Sequence, residues 1–277
     1  MRRFDLSRAV VLVAMAMLIP KPALAQSLGL SPAEIRATFT PQQVLQFDLN
    51  VSNEGDVPVP MRGSVSDLWF DPSTNEKTFG APGTLPRSAS NWVTFVPATF
   101  TVPPRGPATV KVLVTPPKGA TGGSYAVLFF ESKPELSRDP SGSGRAVFAN
   151  LRLGALLLLT ATGTADYRVD VRDAILTPPA ANRNLAATFR VRNTGNTHIF
   201  PNARLTVTNA EKRVVARAAA DVRRLFPGQE DPVSVTWAGS LPPGAYTAVL
   251  TIGYGDDKVY TQALPFLIEG PGHSSGE

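Results

Sequence analysis

Residues 145–160 read RAVFANLRLGALLLLT and form the most apolar run of the chain after its N-terminal segment. Every second residue from Val147 to Leu159 is apolar, which is typical of a long β-strand with one side in a core. The other side is polar in its middle and becomes apolar at Leu156 and Leu158. A strand of a two-sheet domain does not need leucines on its outer side, so we expect a second domain or a binding partner to cover them.

The rest of the chain consists of short alternating runs separated by turn residues, among them 26 prolines and 22 glycines. This arrangement favours an all-β sandwich fold. Residues 210–224 are the one stretch that could form a helix, and we interpret them as a strand over 213–218 followed by a connection. Residues 133–144, KPELSRDPSGSG, are expected to form a mobile loop that leads into the apolar run.

An internal repeat divides the chain. LQFDLNVSNEG at 45–55 aligns with LAATFRVRNTG at 185–195, with Asn53 and Gly55 in register with Asn193 and Gly195. Asn and Gly tolerate positive φ at little cost, which we take as the reason for an Asn-x-Gly turn at the end of each strand. The repeat predicts two tandem immunoglobulin-like β-sandwich domains over residues 26–163 and 164–270, followed by a disordered tail over 271–277.

Residues 1–25 have the pattern of a cleaved signal peptide. Arginines at positions 2, 3 and 8 precede an apolar segment over 9–19, and Ala-Leu-Ala at 23–25 supplies a cleavage pattern. We therefore expect a periplasmic protein, with the cell surface as a second possible location. No second long apolar stretch follows, so the chain is predicted not to span a membrane after cleavage.

Composition narrows the possible partners and chemistry. The chain has 27 basic and 22 acidic residues; without the four basic residues and one acidic residue of the leader the balance is 23 against 21, a net charge of +2. A charge this small gives no reason to expect binding to nucleic acid. The absence of cysteine excludes disulfides, thiolate zinc sites and cysteine nucleophiles.

Catalytic and cofactor motifs are not found. The chain has two histidines, of which His273 lies in the tail and His198 is expected to be an exposed loop residue. No glycine-rich phosphate loop or GxSxG motif occurs, so we predict no enzyme activity and no cofactor. Trp69 and Trp92 alternate with aliphatic residues and are interpreted mainly as core, with a glycan-facing or partner-facing role as the alternative.

The motifs LSPAEIRATFTPQQVLQFDLNVSNEG at 30–55 and FTVPPRGPATVKVLV at 100–114 resemble the first domain of the PapD-like periplasmic chaperones of pilus assembly. The loop at 133–144 and the strand at 145–160 fall where that family has a flexible loop and a donor strand. The resemblance implies that a secreted, pilin-like subunit is held by strand addition along 145–160. It also implies that the chain is a binding protein of the periplasm.

The basic anchor positions of that family are not matched. The anchor on the first strand would fall at about Glu34 and the lysine on the last strand near Gly154, whereas Arg36 and Arg152 lie two residues away. Arginine can pair with a carboxylate through two hydrogen bonds. The predicted partner-binding residues are Phe148, Asn150, Arg152, Leu156, Leu158 and Arg36.

A second function is compatible with the same residues. The chain also resembles surface proteins of the Gram-positive type that have a similar first domain. The alternative is therefore a non-catalytic structural or adhesive protein of the cell envelope. In that case Leu156 and Leu158 would be buried between the two domains, and no partner would contact them.

Overall fold

The computed structural model describes residues 28–71, 74–133, 135–138, 146–255 and 257–270, with only the main chain described for 135–138 and 146–149. The predicted signal peptide at 1–25 and the predicted tail at 271–277 lie outside these residues. Nearly all regular structure is β-strand, and the only helical element of the described ranges is a single 3-10 turn at Ser90–Trp92.

The first domain contains twelve strands in chain order. They are β1 (Leu28–Ser31), β2 (Glu34–Phe39), β3 (Leu45–Asn53), β4 (Val59–Phe70), β5 (Lys77–Gly80), β6 (Val93–Val96), β7 (Thr99–Val102), β8 (Gly106–Val114), β9 (Gly123–Ser132), β10 (Glu135–Arg138), β11 (Ala146–Ala149) and β12 (Arg152–Ala161). One sheet has the order β1-β3-β8-β6, and the other has the order β2-β12-β9-β4-β5 with β7 beside β4. The β10-β11 pair forms a separate two-stranded ribbon.

Alternation of apolar residues places the first core between these two sheets. Leu49 and Val51 of β3 are fully buried, as are Leu157 and Leu159 of β12 in the opposite sheet. The first strands cross between the sheets, because β1 pairs antiparallel with β3 and β2 then pairs parallel with β12.

The second domain repeats this design with β13 (Val169–Thr177), β14 (Leu185–Asn193), β15 (Asn202–Asn209), β16 (Val214–Asp221), β17 (Glu230–Trp237), β18 (Gly244–Gly255) and β19 (Lys258–Ile268). Its sheets have the orders β13-β14-β17 and β16-β15-β18-β19, and its core is a separate cluster of buried side chains. The prediction of an all-β chain with two immunoglobulin-like sandwiches is confirmed. The predicted boundary at residue 163 lies in the connection between β12 and β13.

The two Asn-x-Gly turns have equivalent hydrogen bonds, but the predicted reason for them is wrong. Asn53 and Asn193 are both buried, and each accepts a hydrogen bond of 2.9 Å from the glycine N–H two residues later. Each also donates to the carbonyl oxygen four residues on, at 2.7 and 2.8 Å. None of these asparagines and glycines has a positive φ, so the repeat encodes a side-chain-capped turn.

The apolar run at 145–160 is two strands rather than the single strand predicted. It is interrupted at Asn150 and Leu151, between β11 and β12. At this break the N–H of Ser132 donates to the carbonyl oxygen of Leu151 (2.9 Å), and the N–H of Leu151 donates to the Ser132 hydroxyl (3.0 Å). Part of the predicted mobile loop is the strand β10, which pairs with β11. Residues 134 and 139–145 lie outside the described chain.

Candidate protein-binding site

The first half of β12 is a free sheet edge. On one side β12 pairs with β9 from Arg152 to Thr160, whereas on the other side β2 begins to pair only at Leu156. Arg152–Ala155 therefore have a neighbouring strand on one side only, within the part of the chain that the structure describes. Because β11 pairs with β10 alone, we define the free edge as residues 146–155.

The hydrogen-bonding directions show which groups face the open side of β12. The main chain of Leu151 bonds to Ser132 at the end of β9, whereas the N–H of Leu156 donates to the carbonyl oxygen of Ala33, at 2.9 Å. Residues of a strand that pairs antiparallel alternate between its two sides. The N–H and C=O groups of Arg152 and Gly154 therefore point to the open side, where a further strand would bond.

Apolar side chains also cover the outer face of the β12 sheet, which is the face away from the first core. Leu158 is fully buried there, in one cluster with Phe226 of the second domain, and Leu156 is partly buried against the same cluster. The prediction that Leu158 is offered to a partner does not agree with this burial. Leu158 lies where the alternative prediction placed it, at the domain junction.

A stack of three side chains closes the outer face beside the free edge. The guanidinium of Arg152 lies 3.5 Å from the ring centroid of Phe129, and the ring of Phe79 meets Phe129 edge-on with centroids 5.9 Å apart. Arg152 also pairs with Glu131 at 2.7 Å. Gly154 leaves room for the Phe129 ring, since a Cβ at this position would come within 2.9 Å of it. Arg152 is thus engaged within the chain.

Arg36 and Arg152 do not form one anchor site. Arg36 pairs in register with Leu158, six positions from Arg152 along β12, which separates the two arginines by roughly 20 Å at 3.3 Å per residue. Arg36 makes an ion pair with Glu34 and lies 4.0 Å from the ring centroid of Phe200. It therefore belongs to the domain junction rather than to the free edge.

Two leucines at the free edge were missed as candidates. Leu151 and Leu153 are half-buried, whereas Leu157 and Leu159 further along the same side are fully buried. The period-two pattern assigned all of these residues to the core, because sequence alone does not show where the core ends along a strand. Asn150 is exposed at the interruption, and the side chain of Phe148 lies outside the described residues.

The two domains contact each other through the loop between β16 and β17, residues 222–229. Only residues 219–224 of this region were interpreted from the sequence, as a connection. Phe226 of this loop is 1% exposed, with its ring centroid 4.7 Å from that of Phe70 and 4.6 Å from that of Tyr125. A hydrogen bond also joins the two domains near this loop: the Asn75 side chain of the first domain donates to the carbonyl oxygen of Glu230 at 3.0 Å. No sequence pattern marked this loop, because its burial depends on the other domain.

The charged groups of the junction are paired across the domains. Glu34 of the first domain makes ion pairs with Arg36 and with Arg224 of the second domain. Burial alone would raise the pKa of Glu34, but hydrogen bonds from the two arginines outweigh it and hold the pKa below its ordinary value.

His198 is buried, so the prediction of an exposed loop residue is wrong. Its ring is 8% exposed and lies 5.6 Å from that of Tyr125 and 5.5 Å from that of Phe200, measured between centroids. Burial, with the nearby charge of Arg224, lowers the pKa of His198 to about 4. The second domain places this residue against the first, which the sequence did not indicate.

The tryptophans interpreted as core residues are packed against apolar clusters. Trp92 meets Phe39 edge-on at the first core, with ring centroids 5.8 Å apart. Trp69 is partly buried against the outer-face cluster, 6.3 Å from Tyr125.

The described ranges contain neither a metal-ligand cluster nor a membrane-spanning helix. No group of three or more His, Cys, Asp or Glu side chains is close enough together there to hold a metal ion. Among the same residues, no helix has the length and apolar character needed to cross a membrane.

No protein-family model matches this chain, and no curated protein matches it. The solved structures to which it is similar include the class 5 fimbriae chaperone CfaA, with a TM-score of 0.49 and 11% identity over 88% of this chain and 100% of that one. The complex of the Salmonella enterica SafA pilin with the SafB chaperone gives 0.43 and 10% identity over 88% and 97%. The E. coli chaperone DraB gives 0.42 and 13% identity over 88% and 98%. Each of these structures contains a chaperone.

Proposed function

We propose that this chain is a periplasmic chaperone-like binding protein that holds an extended segment of a secreted, pilin-like subunit. The segment pairs as an additional strand with the free edge at 146–155. The observation that carries this proposal is that the main-chain groups of Arg152 and Gly154 have no neighbouring strand on their open side among the residues that the structure describes.

Main-chain hydrogen bonds supply the affinity in this mode of binding, and alternate side chains supply the specificity. The outer face beside the edge is closed by Arg152, Phe129 and Phe79. The apolar residues of an added strand therefore pack on the opposite side, beside Leu151 and Leu153. These two leucines replace Leu156 and Leu158 as the proposed contact residues on β12.

The free edge is not protected in the way that exposed edges of β-sheets usually are. Soluble proteins blunt such edges with prolines or outward-facing charges. Residues 146–155 contain no proline, and the single charged side chain, Arg152, is held by Glu131 and Phe129. Phe148 and Asn150, which lie at the same edge, stay in the proposed contact set.

The alternative, a structural or adhesive envelope protein, is favoured by the burial of Leu158 in the cluster that contains Phe226. In that case the free edge would have no partner. The two proposals differ in whether residues 146–155 become protected when a secreted subunit is present.

The test has two stages. The tagged chain is first purified from the periplasm of its own cell, and any captured subunit is identified and produced with it as a complex. Amide hydrogen exchange is then compared between the free chain and the complex. We expect slower exchange at 146–155 and loss of the complex with Leu153→Asp.

Leu267→Asp is the matched control, because Leu267 is an exposed leucine on β19 of the second domain. It should leave the complex intact. If Leu153→Asp folds and binds the subunit as well as the unchanged chain does, or if protection appears only elsewhere, strand addition at this edge is refuted.

A further inference from the structure

His198 lies at the contact between the two domains with one of its ring nitrogens unpaired. It is on the loop that follows β14 and is 8% exposed, and its Nδ1 atom makes no hydrogen bond. Its ring faces Tyr125 of the first domain, at 5.6 Å between centroids, and Phe226, at 6.4 Å. Next to it in sequence, the Thr197 hydroxyl lies 3.3 Å from that of Thr160 in β12.

The charged groups around His198 disfavour a further positive charge on its ring. Arg224 lies on the β16–β17 loop, Arg36 and Glu34 lie on β2, and the buried phenol of Tyr125 lies on β9. The one anion among them, Glu34, is already paired with both arginines. The remaining cation, Arg87, acts on Tyr125 from the loop beside β9. A proton on the imidazole would therefore meet two cations and no free anion.

The domains can separate without unfolding, because each has a core of its own. The buried side chains of the first sandwich and those of the second form separate clusters. The junction is held by a third, smaller cluster in which Phe226 is the only residue of the second domain. Polar contacts such as the Glu34–Arg224 ion pair also join the domains. Loss of the Phe226 contact therefore removes the apolar part of the junction and leaves both cores intact.

We propose that the domain junction is an acid-sensitive hinge in which protonation of His198 displaces Phe226 from the first domain and lets the two sandwiches separate. This hinge does not depend on the proposed function. Opening of the hinge would affect any ligand held near β2, because Glu34 and Arg36 of β2 take part in the contacts between the domains.

The direction and size of the response follow from proton linkage. In the open state His198 is solvated and has its ordinary pKa of 6.5, whereas in the closed state its pKa is about 4. The open state therefore binds protons more tightly, and acid favours it. Between pH 7 and pH 5 the ratio of closed to open molecules should fall about 20-fold.

The chain has no cysteine, so a single introduced thiol can report on opening. Leu158→Cys places the thiol in the junction cluster, and Leu157→Cys places it on the other side of the same strand, in the first core. An aromatic disulfide reagent that reacts in acid is applied at pH 7 and at pH 5. Each labelling rate is divided by the rate for a short cysteine peptide at the same pH.

We expect the corrected labelling rate of Leu158→Cys to rise about 20-fold at pH 5, and that of Leu157→Cys to change little. His198→Gln, added to Leu158→Cys, should abolish the rise because glutamine does not titrate. His273→Gln, which removes the other histidine, should leave it unchanged. A rise that persists in the His198→Gln variant, or an equal rise at both thiols, overturns the proposal.

A measurement on the unchanged protein tests the hinge without depending on whether these variants fold. The ring proton of His198 is followed by nuclear magnetic resonance as the pH is lowered. An acid-sensitive hinge requires a pKa well below the ordinary value, together with chemical-shift changes at Phe226 that have the same midpoint. A pKa near 6.5 in the folded protein excludes the hinge.

Discussion

Replacing Phe226 with alanine removes the ring that joins the two domains. The side chain is 1% exposed and contacts the rings of Phe70 and Tyr125. A buried phenylalanine removes about 150–250 Å² from water, and truncation of such a residue to alanine costs about 3–5 kcal/mol. We therefore expect Phe226→Ala to cost about 3 kcal/mol, the lower end of that range.

This energy is lost from the coupling between the domains rather than from either core, because the two cores are separate clusters. Differential scanning calorimetry measures the coupling directly. The unchanged protein should unfold in one merged transition, and Phe226→Ala should unfold in two resolved transitions, one for each sandwich.

Phe79→Ala is the control, because it removes the same kind of ring at a position that is 52% exposed and that packs on Phe129 rather than on Phe226. It should leave the merged transition intact. If Phe226→Ala keeps a single transition at an unchanged temperature, Phe226 does not couple the domains.

Three further substitutions test the hydrogen bonds and the close packing of the fold by urea unfolding. Asp67 is buried and accepts hydrogen bonds from three backbone N–H groups; Asp67→Asn should cost about 2–4 kcal/mol, and an unchanged unfolding midpoint would contradict it. Burial alone would raise the pKa of Asp67, but hydrogen bonds from backbone N–H groups and from the Ser88 and Ser90 side chains outweigh it and lower the pKa. Its contribution to stability should therefore be present above the ordinary pKa of 3.8 and disappear in acid. Asn193→Ala leaves the N–H of Gly195 unpaired and should cost about 1–3 kcal/mol; equal stability would show that water replaces the side chain. Gly123→Ala would push a Cβ into the Tyr125 phenol and should destabilise by about 1–3 kcal/mol, unless the ring moves without cost.

Sequence alone predicted the strands and the two sandwiches because alternation reports directly on burial. Leu49 and Leu157 show this, since each belongs to a series of apolar residues at every second position of its strand, and each is fully buried. The expectation that Leu156 and Leu158 are covered also agrees with the structure, which buries Leu158 completely and Leu156 in part. The identity of the covering residue, Phe226, was beyond the sequence.

The parts that sequence could not predict depend on contacts between distant segments. The free edge exists because β2, more than a hundred positions earlier, pairs with β12 only from Leu156 onward. His198 is buried because the second domain is docked on the first. Arg152 is held in place by Phe129 and Glu131 of the neighbouring strand. None of these contacts between distant segments is encoded in a local sequence pattern.

The position of β2 fixes where any strand added to the free edge must stop. A strand that pairs along 146–155 meets the start of β2 at Ala33 and Glu34, where the N–H of Leu156 is already bonded. Between Arg152 and this point it can pair with four residues of β12, a stretch of roughly 13 Å at 3.3 Å per residue. An extended segment that continues further in this direction would have to bend away from the sheet where β2 begins.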